Sequence, residues 1–362
     1  MGDRRGARLS ALRDQLLSLH LDALLVTSLT NVRYLTGFSG SSGLLLVTPS
    51  AVVLFTDFRY ERQVSAEVAA DVRVQIESAS LWSGLWAQLP ALAGLHVIGF
   101  ESAHLMHRDF ERLLKDGTRW QWRPTTDLVE MQREIKDDDE VAAIVAAVGV
   151  AEQALDRVLR EVRVGQTELE VAGRLEHALR DAGSDGFAFG SIVAGGPNAA
   201  LPHARPTGRP LAAGEFLLLD FGAIVDGYRS DITRTVVVGR ASPEQREVYE
   251  VVREANARAI AGIRPGMTGA DADRLAREYI ADRGFGAEFG HGLGHGLGLD
   301  THEGPRLSRT ADAPLREGVV VTIEPGIYRA GWGGVRIEDD ILLMPLGARV
   351  LTTYRRELIE LV

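Results

Sequence analysis

Cysteine is absent from the 362 residues, which excludes disulfides and thiolate chemistry. A basic excess is absent as well. Lys and Arg total 40 against 50 Asp and Glu, a net charge of -10, so neither a nucleic-acid nor a membrane partner is expected. No apolar run reaches membrane-spanning length. Residues 1–20 carry Arg4, Arg5, Arg8 and Arg13 among Leu9, Leu12, Leu16 and Leu17, the pattern of an amphipathic helix rather than of a secretion signal. The expectation is a cytoplasmic protein. With 45% hydrophobic residues the chain can build sizeable cores, and its length implies two domains.

What is present in abundance is glycine, concentrated in Gly290-His291-Gly292-Leu293-Gly294-His295-Gly296-Leu297-Gly298-Leu299-Asp300-Thr301-His302-Glu303. Glycine holds every second position from Gly290 to Gly298, so an extended strand would turn all five to one face and His291 and His295 to the other. A helix is a poor reading, since each interior glycine costs roughly 1 kcal/mol relative to alanine. A dinucleotide-binding loop is a poor one too, because no strand-then-helix unit follows. Histidines beside close-approaching backbone suit a metal or a substrate carbonyl better than a core.

Residues 1–127 read as an α/β domain with strand candidates at Ala23 to Val26, Leu44 to Val47, Val52 to Thr56, Val72 to Ile76 and His96 to Phe100. The segment Asn31 to Gly43 reads as a loop whose Tyr34 and Phe38 either tuck into the local core or face a substrate or subunit. The boundary is placed near residue 128. Beyond it, Asp137-Asp138-Asp139-Glu140 precedes an amphipathic helix carrying Val141, Ile144, Val148 and Leu155, and acids at that end read as dipole partners rather than metal ligands. Gly165-Gln166-Thr167 and Gly266-Met267-Thr268 each open a helix closed by a glycine, Gly183 or Gly284, which hints at an internal duplication. Ser242-Pro243-Glu244-Gln245 is a capping box starting the helix between the two halves.

Glu215 to Phe221 and Tyr228 to Val238 read as strands joined by an Asp226-Gly227 turn. With that turn, Asp220 pairs with Thr233 and Gly222 with Asp231, so Asp220 and Asp231 become diagonal neighbours on one face. Two aspartates on a largely apolar hairpin repel unless a positive charge lies between them. A second pair follows: Glu324 ends the apolar run Val319 to Ile323, and Glu338 sits within Ile337 to Leu343. Four carboxylates and one histidine suit two divalent cations, with manganese preferred and cobalt or zinc as alternatives.

These motifs closely resemble the pita-bread metallopeptidases, specifically the prolidase and aminopeptidase P subgroup. The matching segments are Asp220-Phe221-Gly222, Ser230 to Thr235, His291-Gly-Leu-Gly-His295, His302-Glu303, Thr322 to Tyr328 and Gly334 to Asp339, in motif order across residues 128–362. The resemblance implies an α/β creatinase-like N-terminal domain over 1–127 and an α+β pita-bread catalytic domain over 128–362, usually as a homodimer. It implies that Asp231 and Glu338 bridge two metals, that Asp220 completes one ion, and that His295 with Glu324 completes the other. His291 corresponds to a histidine near the substrate carbonyl, His302 to one in substrate contact and proton transfer, and His203 to a further active-site histidine. Arg336 is implied to orient ligands, Tyr328 to contact substrate, and Arg306 to grip the free carboxylate of a C-terminal proline, a task for which Arg309 is the alternative.

The substrate so implied is a proline-containing di- or oligopeptide, with Xaa-Pro dipeptidase favoured and Xaa-Pro aminopeptidase as the alternative. A non-catalytic pita-bread module or a metal-free creatinase-like hydrolase would be expected to have lost ligands, and all five are present.

Overall fold

The computed structural model describes residues 4–362, and the chain divides between Arg133 and Glu134 into two compact units. The division falls later than residue 127 because the short helix at Glu130–Arg133 is tied to the first unit. Asn31 Nδ2 donates to Glu130 Oε1 at 2.5 Å, and Arg133 Nη1 donates to Asn31 Oδ1 at 2.7 Å.

In the first unit, α1 (Arg4–Ser18) buries Leu9, Leu12 and Leu16 and leaves Leu17 outside. There follow β1 (Ala23–Val26), α2 (Leu29–Thr36), β2 (Leu44–Val47), β3 (Val52–Asp57), α3 (Glu61–Glu67), β4 (Arg73–Glu77), α4 (Leu81–Gln88), β5 (Val97–Glu101), α5 (His107–Asp116), β6 (Gln121–Thr125) and α6 (Glu130–Arg133). The strands form one mixed sheet in the order β4-β3-β2-β1-β5-β6. All five expected strands are there. The sixth, Gln-Trp-Arg-Pro-Thr, was not legible because a proline and a lack of apolar alternation disguise an edge strand. The segment from Asn31 is helical rather than a loop up to Thr36. Ser28 caps α2 by accepting from Asn31 N, Gly37 ends it at φ 84°, and Tyr34 and Phe38 are buried in the local core.

The second unit begins with α7 (Asp138–Glu161), whose N-cap Asp137 forms a capping box with Glu140. The acidic run therefore does serve the helix start. Next come α8 (Glu168–Asp181), β7 (Ile192–Gly195), β8 (Glu215–Phe221), β9 (Ile224–Val225), β10 (Tyr228–Arg229), β11 (Ile232–Val238), α9 (Pro243–Gly262) and α10 (Gly269–Asp282). The chain ends with β12 (Gly294–Gly296), β13 (Glu303–Leu307), β14 (Val320–Ile323), β15 (Gly326–Arg329), β16 (Gly333–Arg336), β17 (Asp339–Met344), β18 (Gly347–Val350) and β19 (Glu360–Leu361). Two sheets dominate, in the orders β19-β11-β8-β7 and β13-β12-β14-β17-β18.

Each sheet is covered on one face by a helix pair. Leu217, Leu219 and Phe221 pack with Ala151, Leu155, Val171 and Leu175 of α7 and α8, while Val321, Ile323 and Ile341 pack with Val252, Ala255 and Ala276 of α9 and α10. Burying a Leu, Ile or Val completely contributes about 1.5–3 kcal/mol, so these faces fix which side of each strand looks inward. Residues of opposite parity, Leu218 and Asp220 among them, are left for the other face.

The two halves repeat one another in hydrogen bonds as well as in sequence. Gly165 N donates to Leu211 O and Gly266 N to Leu315 O, both at 2.8 Å; Leu211 N and Leu315 N return bonds to Gln166 O and Met267 O, again at 2.8 Å. Both glycines sit at φ 87°, where L side chains are strained. Asp220 and Glu324 occupy corresponding places, each six residues after a positive-φ glycine, Gly214 or Gly318.

Candidate metal centre and active site

The register of the β8–β11 hairpin delivers the first two carboxylates. Tyr228 pairs with Val225, Thr233 with Asp220 and Ile232 with Phe221, and Asp226 and Gly227 turn at φ 50° and 79°. Asp220 and Asp231 are thereby diagonal neighbours facing inward, as the turn requires.

The glycine stretch is less regular than an alternating strand. Only Gly294–Gly296 is β-structure, with a bulge after His295. The reason lies in the neighbours: a Cβ on Gly294 would collide with the Thr322 carbonyl, and one on Gly296 with the Gly304 carbonyl. These glycines let β13 and β14 close on β12 from both sides, and the ring of His295 is left on the inner face. His295 Nδ1 donates to Gly296 O at 3.0 Å, so Nε2 is the atom with a free lone pair. It lies 3.8 Å from Asp231 Oδ2 and 3.6 Å from Glu324 Oε1.

Glu324 stands one residue past β14, and Glu338 sits in the break between β16 and β17 rather than within a strand. Glu338 N donates to Thr233 O at 3.1 Å, and its Oε2 accepts from Thr233 Oγ1 at 2.5 Å. Asp231, His295 and Glu338 offer ligand atoms within 4.8 Å of one another. Asp220 is held by Arg336, whose Nη2 donates to its Oδ2.

The electrostatics of this group are unbalanced. Burial, and then the charges of Glu338 and Asp220, raise Asp231 well above the ordinary carboxylate range. Burial, with Glu324 and Asp220 adding, does the same to Glu338. Glu324 is pushed up to about 8, chiefly by burial and also by Asp220, against the lowering effect of Arg336. Burial lowers His295 to about 4. Asp220 Oδ1 and Asp231 Oδ1 are buried with no hydrogen-bond partner among the described residues. Four acids opposed mainly by one guanidinium, two of them with an orphaned oxygen, together with an imidazole whose lone pair faces them, fit divalent metal binding by oxygen and nitrogen donors.

Around that cluster stand the remaining predicted residues. Arg336 is buried; besides Asp220 it donates to Thr233 Oγ1 at 3.0 Å and to Tyr328 OH at 2.8 Å. Because Arg336 can only donate, the Tyr328 hydroxyl hydrogen is free to go to His291 Nε2, 2.8 Å away, while His291 Nδ1 donates to Gly292 O at 2.8 Å. His291 is thus a neutral ring held at both nitrogens. Burial, with the Arg336 charge adding, lowers it to about 4.

His302 is more exposed, its ring centroid 4.3 Å from that of His295. Burial of its inner side and the charge of Arg306 lower its pKa. Arg306 lies directly opposite His295 across the β12–β13 ladder, so the two side chains share a face. Arg306 is exposed and, among the described residues, its guanidinium makes no hydrogen bond or ion pair. Arg309, the alternative, points back to Phe289 O at 3.4 Å. His203 is exposed on the loop after β7, close enough for its charge to lower both His291 and His302.

Several contributors were not foreseen. Thr233 bridges Arg336 and Glu338. Arg234, fully buried, donates to the carbonyls of Thr233 and Glu338 and pairs with Asp339 at 2.8 Å. Lys136 and Glu303 form a buried ion pair at 3.1 Å next to His302. Thr233 has a sequence signal, two residues from Asp231 on the same strand face; the others depend on distant partners.

Comparison with known proteins agrees with this architecture. Residues 142–345 match the model of metallopeptidase family M24, and residues 8–135 match the creatinase/prolidase N-terminal domain. A Xaa-Pro dipeptidase of Pyrococcus horikoshii is 36% identical over 94% of this chain and 95% of its own. The solved structure of a Xaa-Pro dipeptidase from Bacillus anthracis superimposes with a TM-score of 0.94 at 37% identity, covering 98% of this chain and 99% of that one. An X-Pro aminopeptidase from Thermotoga maritima gives 0.90 at 35% identity, covering 96% and 99%. A creatinase-type N-terminal domain followed by this acid-rich, two-sheet catalytic unit identifies the chain as a member of metallopeptidase family M24.

Proposed function

We propose that the protein is a metal-dependent exopeptidase cleaving the Xaa-Pro bond of dipeptides. The observation that carries the dipeptide preference is Arg306, an unpaired guanidinium on the same strand face as His295 and beside His302. A free arginine there can pair with the substrate's terminal carboxylate through two parallel hydrogen bonds and stays charged at every working pH. The relatives named Xaa-Pro dipeptidase support the same reading.

In this reading Asp231 and Glu338 would serve both metal ions, Asp220 would serve one, and His295 with Glu324 would serve the other. The oxygen-rich donor set favours manganese over cobalt or zinc. The ions supply Lewis acidity towards the scissile carbonyl and activate water at neutral pH. Arg336 orients Asp220, and Thr233 orients Glu338. His302, neutral near pH 7 and reachable from outside, accepts and returns a proton at an imidazole nitrogen, with His203 lining the same approach. His291 and Tyr328 act as one hydrogen-bonded unit presented to the substrate. The family resemblance adds a homodimer as the working assembly.

Arg306→Ala tests the substrate assignment. It is expected to raise KM for Xaa-Pro dipeptides by about tenfold or more, the worth of a charge-assisted pair at roughly 1.5–3 kcal/mol, and to change little for the same dipeptides amidated at the C-terminus. Equal losses on both, or faster wild-type cleavage of longer peptides, would transfer the assignment to Xaa-Pro aminopeptidase, the reading favoured by the likeness to the Thermotoga maritima enzyme.

A further inference from the structure

Residues 289–293 carry His291 yet belong to no strand, so their backbone groups need partners that no ladder provides. Helix α10 supplies three of them. Asp273 is fully buried and Arg277, one turn later, is nearly so, with side-chain exposures of 1% and 13%. Arg277 Nε donates to Asp273 Oδ2 at 2.5 Å and Nη2 to Oδ1 at 2.8 Å, a two-point pair. The same guanidinium donates from Nη1 to Phe289 O at 2.8 Å and from Nη2 to His291 O at 2.6 Å. Asp273 Oδ1 also accepts from Leu293 N at 3.0 Å. Arg277 lies 4.0 Å over the Phe289 ring, which meets the His291 ring edge-on at 5.1 Å.

We propose that Asp273 and Arg277 are positioning residues that set the main chain of residues 289–293 and, through it, the ring of His291 against Tyr328. The pair touches neither the carboxylate cluster nor the outer approach; everything it grips lies in this one segment or is its own partner. A lysine at 277 keeps the charge but has one nitrogen where the guanidinium uses three, so it cannot hold Asp273 and both carbonyls in a plane. The turnover consequence rests on the reading of His291 as part of the reacting site.

The test is Arg277→Lys in the full chain, read two ways. Metal-loaded protein is assayed for kcat and KM on a Xaa-Pro dipeptide, with bound metal and thermal midpoint measured alongside. Metal-free protein labelled with 15N-histidine is examined by NMR, where nine histidines give a sparse spectrum and exposed His177 on α8 serves as the internal control. The expected result is wild-type metal content, kcat lowered about tenfold or more with KM within about twofold, and moved or broadened His291 ring signals beside unmoved His177 signals. Unchanged His291 signals would overturn the proposal. Moved signals with wild-type kcat would support the clamp and overturn the role given to His291 instead. If Arg277→Lys does not fold, Asp273→Asn takes its place, since it keeps an acceptor for Leu293 N and removes the charge that orients Arg277; the same outcomes apply.

Discussion

At the scale of single residues, His302 and His291 show how one side-chain type takes two parts. His291 is bonded at both nitrogens, while His302 is exposed, its ring tilted against that of His295, and has no bonded partner among the described residues. If His302 moves the proton, His302→Ala should lower kcat by about 10²–10⁴-fold, the usual scale of acid–base help, with metal content near wild type by elemental analysis. Loss of the metal instead would make it a ligand. Side chains whose chemistry and spacing speak for themselves were legible in the sequence: Asp220, Asp231, His295, Glu324 and Glu338 lie in the cluster. Arg234, Lys136, Asp273 and Arg277 were not: Arg234 and Lys136 pair with acids more than a hundred residues away, and Asp273 with Arg277 reads as an ordinary pair one helical turn apart until the carbonyls of Phe289 and His291 are seen against it.

At the scale of elements, the glycines of β12 define the site more sharply than its histidines do. Thr322 O and Gly304 O occupy the space a side chain would need at Gly294 and Gly296. Gly294→Ala should therefore cost about 3 kcal/mol, the upper part of the range for overpacking, and should weaken metal binding by displacing His295. Denaturant unfolding and metal content check both. Gly290→Ala is the control, because nothing lies within 4 Å of a Cβ there, and it should be neutral in both measurements. The β8–β11 register was legible because an Asp-Gly turn leaves one register for the hairpin. The helix over Leu29–Thr36 was not, since the glycines and serines that follow it mask an eight-residue helix too short for periodicity to reveal.

For the whole molecule, the acid cluster makes a statement about stability. Asp231, Glu324 and Glu338 have folded-state pKa values raised above their unfolded ones, so without metal the folded state binds extra protons. That contribution is fully present below the unfolded pKa and is lost as pH rises through the folded value. His291 and His295, lowered to about 4, act in the opposite sense, but only between about 4 and 6.5, where the unfolded chain protonates its histidines. Between pH 6.5 and 8 the carboxylates act alone within this group. Metal-free protein should lose stability across that window, by up to about 1.4 kcal/mol per pH unit for each group titrating. Saturating divalent metal should remove the slope, because bound ligands no longer take up protons. Thermal midpoints at pH 6.5, 7.2 and 8, with and without metal, give the answer; a flat metal-free profile would show that the carboxylates are already ionised and compensated.

The internal duplication gives the molecule a corresponding carboxylate from each half, Asp220 and Glu324; metal held by them and by Asp231, Glu338 and His295 would drive Xaa-Pro hydrolysis. The most direct measurement is the initial rate of Xaa-Pro dipeptide cleavage by metal-stripped protein as Mn²⁺ is titrated back, with Glu338→Gln carried in parallel. Stripped protein should show no turnover, recovery should saturate at two ions per chain, and the folded Glu338→Gln variant should recover almost none. Full turnover in stripped protein, with residual metal excluded by elemental analysis, would contradict metal-driven hydrolysis.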